Sequence, residues 1–170
     1  MIKKKEIFGL VVLASLWALR GYAQSNKSGA TDEMRIRQQI DNFVKAFRSR
    51  DINLMMSLYA PGMVAFDIVP PLQDVGISTY RKTWGKTFKQ FDGPVNIEIR
   101  DLSIVTGGDA AFSYMLFHIQ ATMSNGHKVN FWERMTLCFR KANSKWLIVH
   151  EHVSVPADLA TGKAALNLTP

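Results

Sequence analysis

Trp132–Pro156 reads WERMTLCFRKANSKWLIVHEHVSVP, and its alternation decides the fold. Two runs with a period of two flank Ala142-Asn143-Ser144, a turn-forming triplet. A period of two is the mark of a β-strand, and two strands joined by a short polar turn form a hairpin. Extended back to Lys128, the first run sets Lys128, Asn130, Trp132, Arg134, Thr136 and Cys138 on one face. Val129, Phe131, Glu133, Met135, Leu137 and Phe139 share the other. The second run sets Trp146, Ile148, His150, His152 and Ser154 against Leu147, Val149, Glu151, Val153 and Val155.

Upstream, the same period continues through Val95–Val105 and Ala110–Met123. Gly107-Gly108-Asp109 separates that pair. Asn125-Gly126, the strongest short hairpin signal, leads into the strand at Lys128. Four strands joined by short turns predict an antiparallel meander. Before them the period is helical. Ile36, Ile40, Phe43, Val44 and Phe47 form one apolar stripe, starting after an N-cap at Thr31-Asp32 and ending near Arg50. Asp51 caps a second short helix through Leu54, Met55 and Leu58, which Pro61-Gly62 stops. Met63–Val69 reads as a strand ended by Pro70-Pro71. Gly76 precedes a third helix, from Ile77 to about Phe91, with Tyr80, Trp84 and Phe88 on its apolar side. The expected fold class is α+β: three N-terminal helices packed on a curved antiparallel sheet, two layers enclosing a cone with an open mouth. Such a concavity suits a small-molecule ligand.

Three strand faces mix aromatic with polar side chains: Tyr114, His118 and Gln120; Trp132, Arg134 and Thr136; His150, His152 and Ser154. A polar-lined pocket accounts for both kinds of residue, so these faces are expected to line it, with Trp84 as wall, while the aliphatic faces pack on a partner subunit. Asp67 stands alone in the apolar stretch VAFDIVPP. A carboxylate in an apolar pocket acquires a raised pKa and can act as a general base; pairing with Arg134 is the structural alternative. Arg134 either clamps an anionic oxygen or pairs with an acid. His150 and His152 share a face and are read as pocket donors and acceptors, one of them a candidate acid or base. A zinc site with His118 lacks a supporting cysteine pair or carboxylate, because Glu151 points to the other face. No metal or cofactor is expected.

The chain has 170 residues and a net charge of +7. Lys3-Lys4-Lys5, the apolar run Ile7–Leu19 and the small residues Gly21 and Ala23 read as a secretory signal peptide over residues 1–23, with cleavage expected before Gln24. A polar linker at 24–30, the domain at 31–156 and a tail at 157–170 follow. Removal of the leader takes Lys3, Lys4, Lys5 and Arg20 with Glu6, leaving +4. That weakens any case for nucleic acid as a partner. It also leaves no stable membrane anchor, and the expected location is periplasmic or secreted. Arg81, Lys82, Lys86 and Lys89 remain as a basic cluster, read as a solvated helix face. The single cysteine, Cys138, allows no internal disulfide and is read as a buried small hydrophobe.

The element order, with W-x-R-x-T, F-R-K and W-x-I-x-H-x-H-x-S-x-P in the opening stretch, resembles the SnoaL-like, ketosteroid-isomerase-related branch of the nuclear transport factor two-like superfamily. VPPLQDVGISTYRKTWGKTF and FDGPVNIEIRDLSIVTGGDAAFSY fit the same branch, so the resemblance spans Thr31 to Pro156. It implies a cone-shaped pocket, a homodimer through the sheet, and no metal. The superfamily includes isomerases, cyclases, epoxide hydrolases, dehydratases and proteins that only bind or assemble, and fold does not choose among them. The expectation is a small apolar carbonyl or ring compound handled by acid–base chemistry, a pure ligand-binding protein, or an assembly module.

Overall fold

The computed structural model describes residues 29–170. The expected leader and the linker as far as residue 28 lie outside them. The first helix, α1, includes residues 29–49, so Asp32 sits inside a helix, where its expected role was an N-cap. Its carboxylate has another task. It accepts from Lys141 Nζ at 2.8 and 2.9 Å and from Trp146 Nε1 at 3.2 Å, and Arg35 lies 3.5 Å away. Burial raises its pKa, but the Lys141 and Trp146 hydrogen bonds outweigh that and hold the group below the usual value. The clamp fixes the start of α1 to the far end of the sheet.

Helix α2 (Ile52–Ser57) is capped as the sequence predicts: Asp51 Oδ1 accepts from the N–H groups of Asn53 and Leu54. Strand β1 (Tyr59–Phe66) follows at once. Pro61-Gly62 therefore does not end a helix; it lies in an irregularity of β1, where the register against its neighbour shifts between Tyr59 and Val64. A short β2 (Asp74–Val75) pairs back on β1. Gly76 then turns the chain with φ 82°, a conformation glycine adopts without strain, and its N–H reaches Met63 O at 2.8 Å. Helix α3 (Ile77–Lys89) buries Tyr80, Trp84 and Phe88 on one side. Arg81, Lys82, Lys86 and Lys89 are exposed as expected, with Lys86 at the rim of the cavity described below.

The meander is β3 (Phe91–Gly107), β4 (Ala110–Met123), β5 (Lys128–Ala142) and β6 (Lys145–Ser154). The sheet order is β2-β1-β6-β5-β4-β3. All pairs are antiparallel except β1 with β6, which is parallel, so the sheet is mixed. The antiparallel expectation failed at that one junction, because β1 comes from the helical half and enters beside the last strand. Bulges interrupt β3 near Gly93-Pro94 and near Asp101, and β6 near Val149. Each adds local twist and bends the sheet around the helices. The tail forms a small separate hairpin, β7 (Ala157–Asp158) with β8 (Lys163–Ala164).

The core lies between the concave face of the sheet and helices α1 and α3. Phe43 and Phe47 of α1, Trp84 of α3 and Phe117 of β4 interlock, with ring centroids from 5.0 to 6.4 Å apart. Arg48 donates to Ile97 O at 2.6 Å and Gln39 to Trp146 O at 2.7 Å, pinning α1 to both ends of the meander. The core sheet face is the aliphatic one: Met115, Phe117 and Ile119 of β4 and Met135, Leu137 and Phe139 of β5 are buried. That face packs on the chain's own helices, which need an apolar cover for their stripes, and not on a partner subunit as the sequence suggested.

Candidate functional site

A cavity of about 350 Å³ opens between the concave face, α3 and the segment after β1. Phe47, Trp84, Phe91, Phe131, Met123 and Val129 form an apolar body around it, and Asp67, Glu133 and Glu151 also line it. Glu133 and Glu151 are 5% and 1% exposed. No described basic side chain forms a salt bridge with any of the three.

Glu151 faces inward because of the bulge. Cys138 pairs with His150, but Phe139 pairs with Ile148, so Val149 is left over. An extra residue reverses the alternation. Trp146 and Ile148 point into the core before the bulge, and Glu151 and Val153 after it. Tyr59 of β1 donates its hydroxyl hydrogen to Glu151 Oε2. Tyr80 of α3 stands beside the same carboxyl, its ring 5.3 Å from that of Tyr59. Burial pushes the Glu151 carboxyl up to about 7; the hydrogen bond from the Tyr59 hydroxyl opposes the rise, and nearby Asp67 adds to it. Burial, reinforced by Asp67 and Glu151, pushes Glu133 well above the usual range. Glu133 makes no hydrogen bond within the described protein.

Asp67 follows the last residue of β1 and is half-buried. Its Oδ1 accepts from Ile68 N at 2.6 Å. Burial raises its pKa, the Ile68 and Val69 N–H groups oppose that, and Asp74 raises it further. The Trp84 indole N–H and the Tyr80 hydroxyl are buried without a hydrogen-bond partner among the described residues. The wall therefore offers one free donor, the Trp84 indole N–H, and three carboxyls inside an apolar shell, with Tyr80 behind them.

Of the residues the sequence nominated, Asp67 and Trp84 line the cavity. Tyr114, His118, Trp132, Arg134, Thr136, His150 and His152 do not; they occupy the opposite, outer face. Tyr114 pairs with Thr136, His118 with Trp132, and Thr136 with His152 across the strands. The His118 ring stacks on Trp132 at 4.5 Å, and Arg100 lies over the same indole. His118 also contacts Asn130 Oδ1 at 2.7 Å and Glu98 at 3.6 Å. His150 Nδ1 meets Val64 O at 2.9 Å, and its ring packs edge-on to Phe66, as does that of His152. Arg134 is exposed and forms no ion pair with Asp67. Cys138 is on this face too, half-buried and not in the core; burial raises its thiol pKa.

Alternation separates the two faces of β4 and β5 as the structure does, but the cavity lies on the Ile119–Glu133–Met135 face and not on the Tyr114–Trp132–Thr136 face the sequence pointed to. The signal that would have found the site was present: Glu133 is the one charged residue among Val129, Phe131, Met135, Leu137 and Phe139. Among the described residues no group of three His, Cys, Asp or Glu has metal-holding geometry, and no helix is long and apolar enough to cross a membrane.

The unfolded chain holds Glu151 near 4.5, whereas the folded chain holds it near 7. The native state therefore binds protons more tightly, and this group's contribution to stability falls as pH rises between those values. The change amounts to about 3 kcal/mol. Glu151→Gln should remove that slope. In thermal melts the variant should gain on the parent between about pH 5 and pH 8; a constant difference would contradict the buried, ionisable carboxyl.

Helices packed in the hollow of a bent mixed sheet, with a cavity at the open end, define the NTF2-like class of cone folds. The chain belongs to the SnoaL-like domain family, whose sequence model matches residues 36–158. It is similar to an NTF2-like protein of unknown function from Pseudomonas putida KT2440, at 32% identity over 83% of this chain and 98% of that one, TM-score 0.77. A ketosteroid isomerase-like protein from Erwinia carotovora atroseptica SCRI1043 shares the fold at 19% identity, covering 71% and 93%, TM-score 0.63. So does a proposed NTF2-like dehydratase from Streptomyces avermitilis, at 16% identity, 74% and 97%, TM-score 0.65. No curated protein matches the chain.

Proposed function

We propose that the chain is a cofactor-independent acid–base enzyme of the isomerase, cyclase or hydratase type, acting on a small molecule with an apolar body. The observation that carries this reading is the convergence of Asp67, Glu133 and Glu151 on one apolar cavity. Two carboxyl groups of unequal proton affinity can run a concerted proton shift. Asp67, the more solvated, takes a proton from carbon beside a carbonyl. Glu151, near 7 and held by Tyr59, gives its proton to the oxygen. The product is a neutral enol, and reversal at another carbon completes an isomerisation with both carboxyls restored. Such an arrangement needs no metal. The isomerase-like and dehydratase-like labels of the fold relatives agree with this class of chemistry.

The test is turnover, or solvent deuterium uptake, across a panel of small cyclic ketones, enones and epoxides. The wild type should act on at least one, and an Asp67→Asn/Glu151→Gln double variant on none. A wild type that binds panel members by calorimetry yet exchanges no more deuterium than the double variant would be a binding protein, the second reading.

In the same reading the chain is exported into the periplasm or medium and forms a homodimer through the outer sheet face. Support for the dimer is the exposure of Phe66, Phe112 and Tyr114 there, at 40%, 42% and 52%. A Phe112→Lys/Tyr114→Lys chain should run as a monomer in light scattering where the parent runs as a dimer. An unchanged mass would remove the outer face from the interface.

A further inference from the structure

We propose that the cavity selects a substrate carrying a protonated amine, and that Glu133 is its counter-ion. The inference rests on the acid–base reading above and names the substrate class for that site. Proton-shift chemistry uses two carboxyls, and this cavity has three. Asp67 is engaged by the Ile68 N–H and Glu151 by the Tyr59 hydroxyl. Glu133 is 95% buried by its 5% exposure, lines the cavity and has no hydrogen-bond or ion-pair partner among the described residues. A buried carboxyl with no partner costs stability unless something outside the chain completes it.

The groups around Glu133 all lean the same way. Glu151 of β6 and Asp67 at the end of β1 are the charged groups that act on it; behind them, Tyr59 of β1 and Tyr80 of α3 stand at Glu151, and Asp74 of β2 stands near Asp67. From β4, α1 and β3 the cavity wall is Ile119, Met123, Phe47 and Phe91, with nothing titratable. Among the described residues Lys86 of α3 is the only cation lining the cavity, and it is exposed to water. An ammonium group inside would offset one carboxylate and leave one base and one acid for the reaction. The aromatic wall of Trp84, Phe91 and Phe131 suits the ring that carries it and adds attraction for a cation.

Binding then releases a proton, because Glu133 holds one in the empty cavity and gives it up beside the ammonium. The test uses calorimetry with benzylamine, phenethylamine and naphthylmethylamine, each against the alcohol of the same skeleton, in phosphate and in Tris buffer. At least one amine should bind about tenfold or more tightly than its alcohol, with a buffer-dependent heat that shows proton release. Glu133→Gln should lose both the preference and the proton release while still binding the alcohol, which shows that the variant is folded. Alcohols binding as well as amines in the wild type would overturn the cation assignment and leave the acid–base reading standing. Failure of every probe in both series would overturn the cavity as a ligand site, and both readings with it. Retention of the amine preference in Glu133→Gln would move the counter-ion role elsewhere and overturn this assignment.

Discussion

Asp67→Asn should lower turnover of any substrate the enzyme accepts by about 10²- to 10⁴-fold, with little change in binding. The asparagine keeps the acceptor that meets the Ile68 N–H but cannot take a proton. The effect should fall on kcat, because the proton moves only in the reaction, and the KM should stay near the parent value. Glu151→Gln should show a loss of the same kind, with the fall in activity above about pH 7 removed along with it, since that limb reports loss of the acid's proton. An Asp67→Asn variant with parental kcat would take the base role away from this residue. Equal loss in His150→Ala would return the outer face to consideration, where His150 is bonded to Val64 O and faces away from the cavity.

Phe117→Ala should cost about 3–5 kcal/mol. Phe117 is fully buried at the centre of the concave face. It stacks on Phe47 at 6.2 Å and meets Phe43 edge-on at 5.9 Å, so it ties β4 to α1. Collapse around the hole is limited because Phe43 and Phe47 are themselves held against Trp84. A domain of this size should lose about 10 °C or more in Tm. Leu72→Ala, at a side chain 95% exposed after Asp67, should stay within about 0.5 kcal/mol of the parent. A Phe117→Ala loss below about 1 kcal/mol would mean that the aromatic cluster is not the centre of the core.

What the chain discloses by itself follows the range over which its signals act. Helix stripes and hairpins are local. The Asn125-Gly126 and Asn143-Ser144 turns, the Asp51 cap and the apolar spacing of Tyr80, Trp84 and Phe88 all appear in the structure where the sequence puts them. Which strand lies beside β1 is not local, and the parallel β1–β6 pairing has no mark in either segment. The orientation of the sheet is a packing question. Alternation sorts Glu133 from Arg134, but only the apolar stripes of α1 and α3 decide which set is covered. Those stripes call for aliphatic cover, and the Val129–Phe139 face supplies it. The bulge at Val149 then defeats simple parity in β6, so Glu151 shares a side with Trp146 although the two are an odd number of residues apart. Asp67 was visible because an acid in VAFDIVPP is conspicuous. Glu133 and Glu151 are equally conspicuous on their apolar faces, but parity alone reads those faces as packing surface and not as cavity wall.

The dispute between the two faces can be settled on the tryptophans. Trp84 lines the cavity with a free indole N–H, Trp132 lies on the outer face under His118, and Trp146 donates to Asp32. Their indole N–H resonances, assigned by single substitution and followed by NMR as an amine or alcohol probe is added, report directly on where a ligand sits. A ligand in the concave cavity should move the Trp84 signal and leave those of Trp132 and Trp146 in place. Movement of Trp132 with Trp84 unchanged would contradict the site.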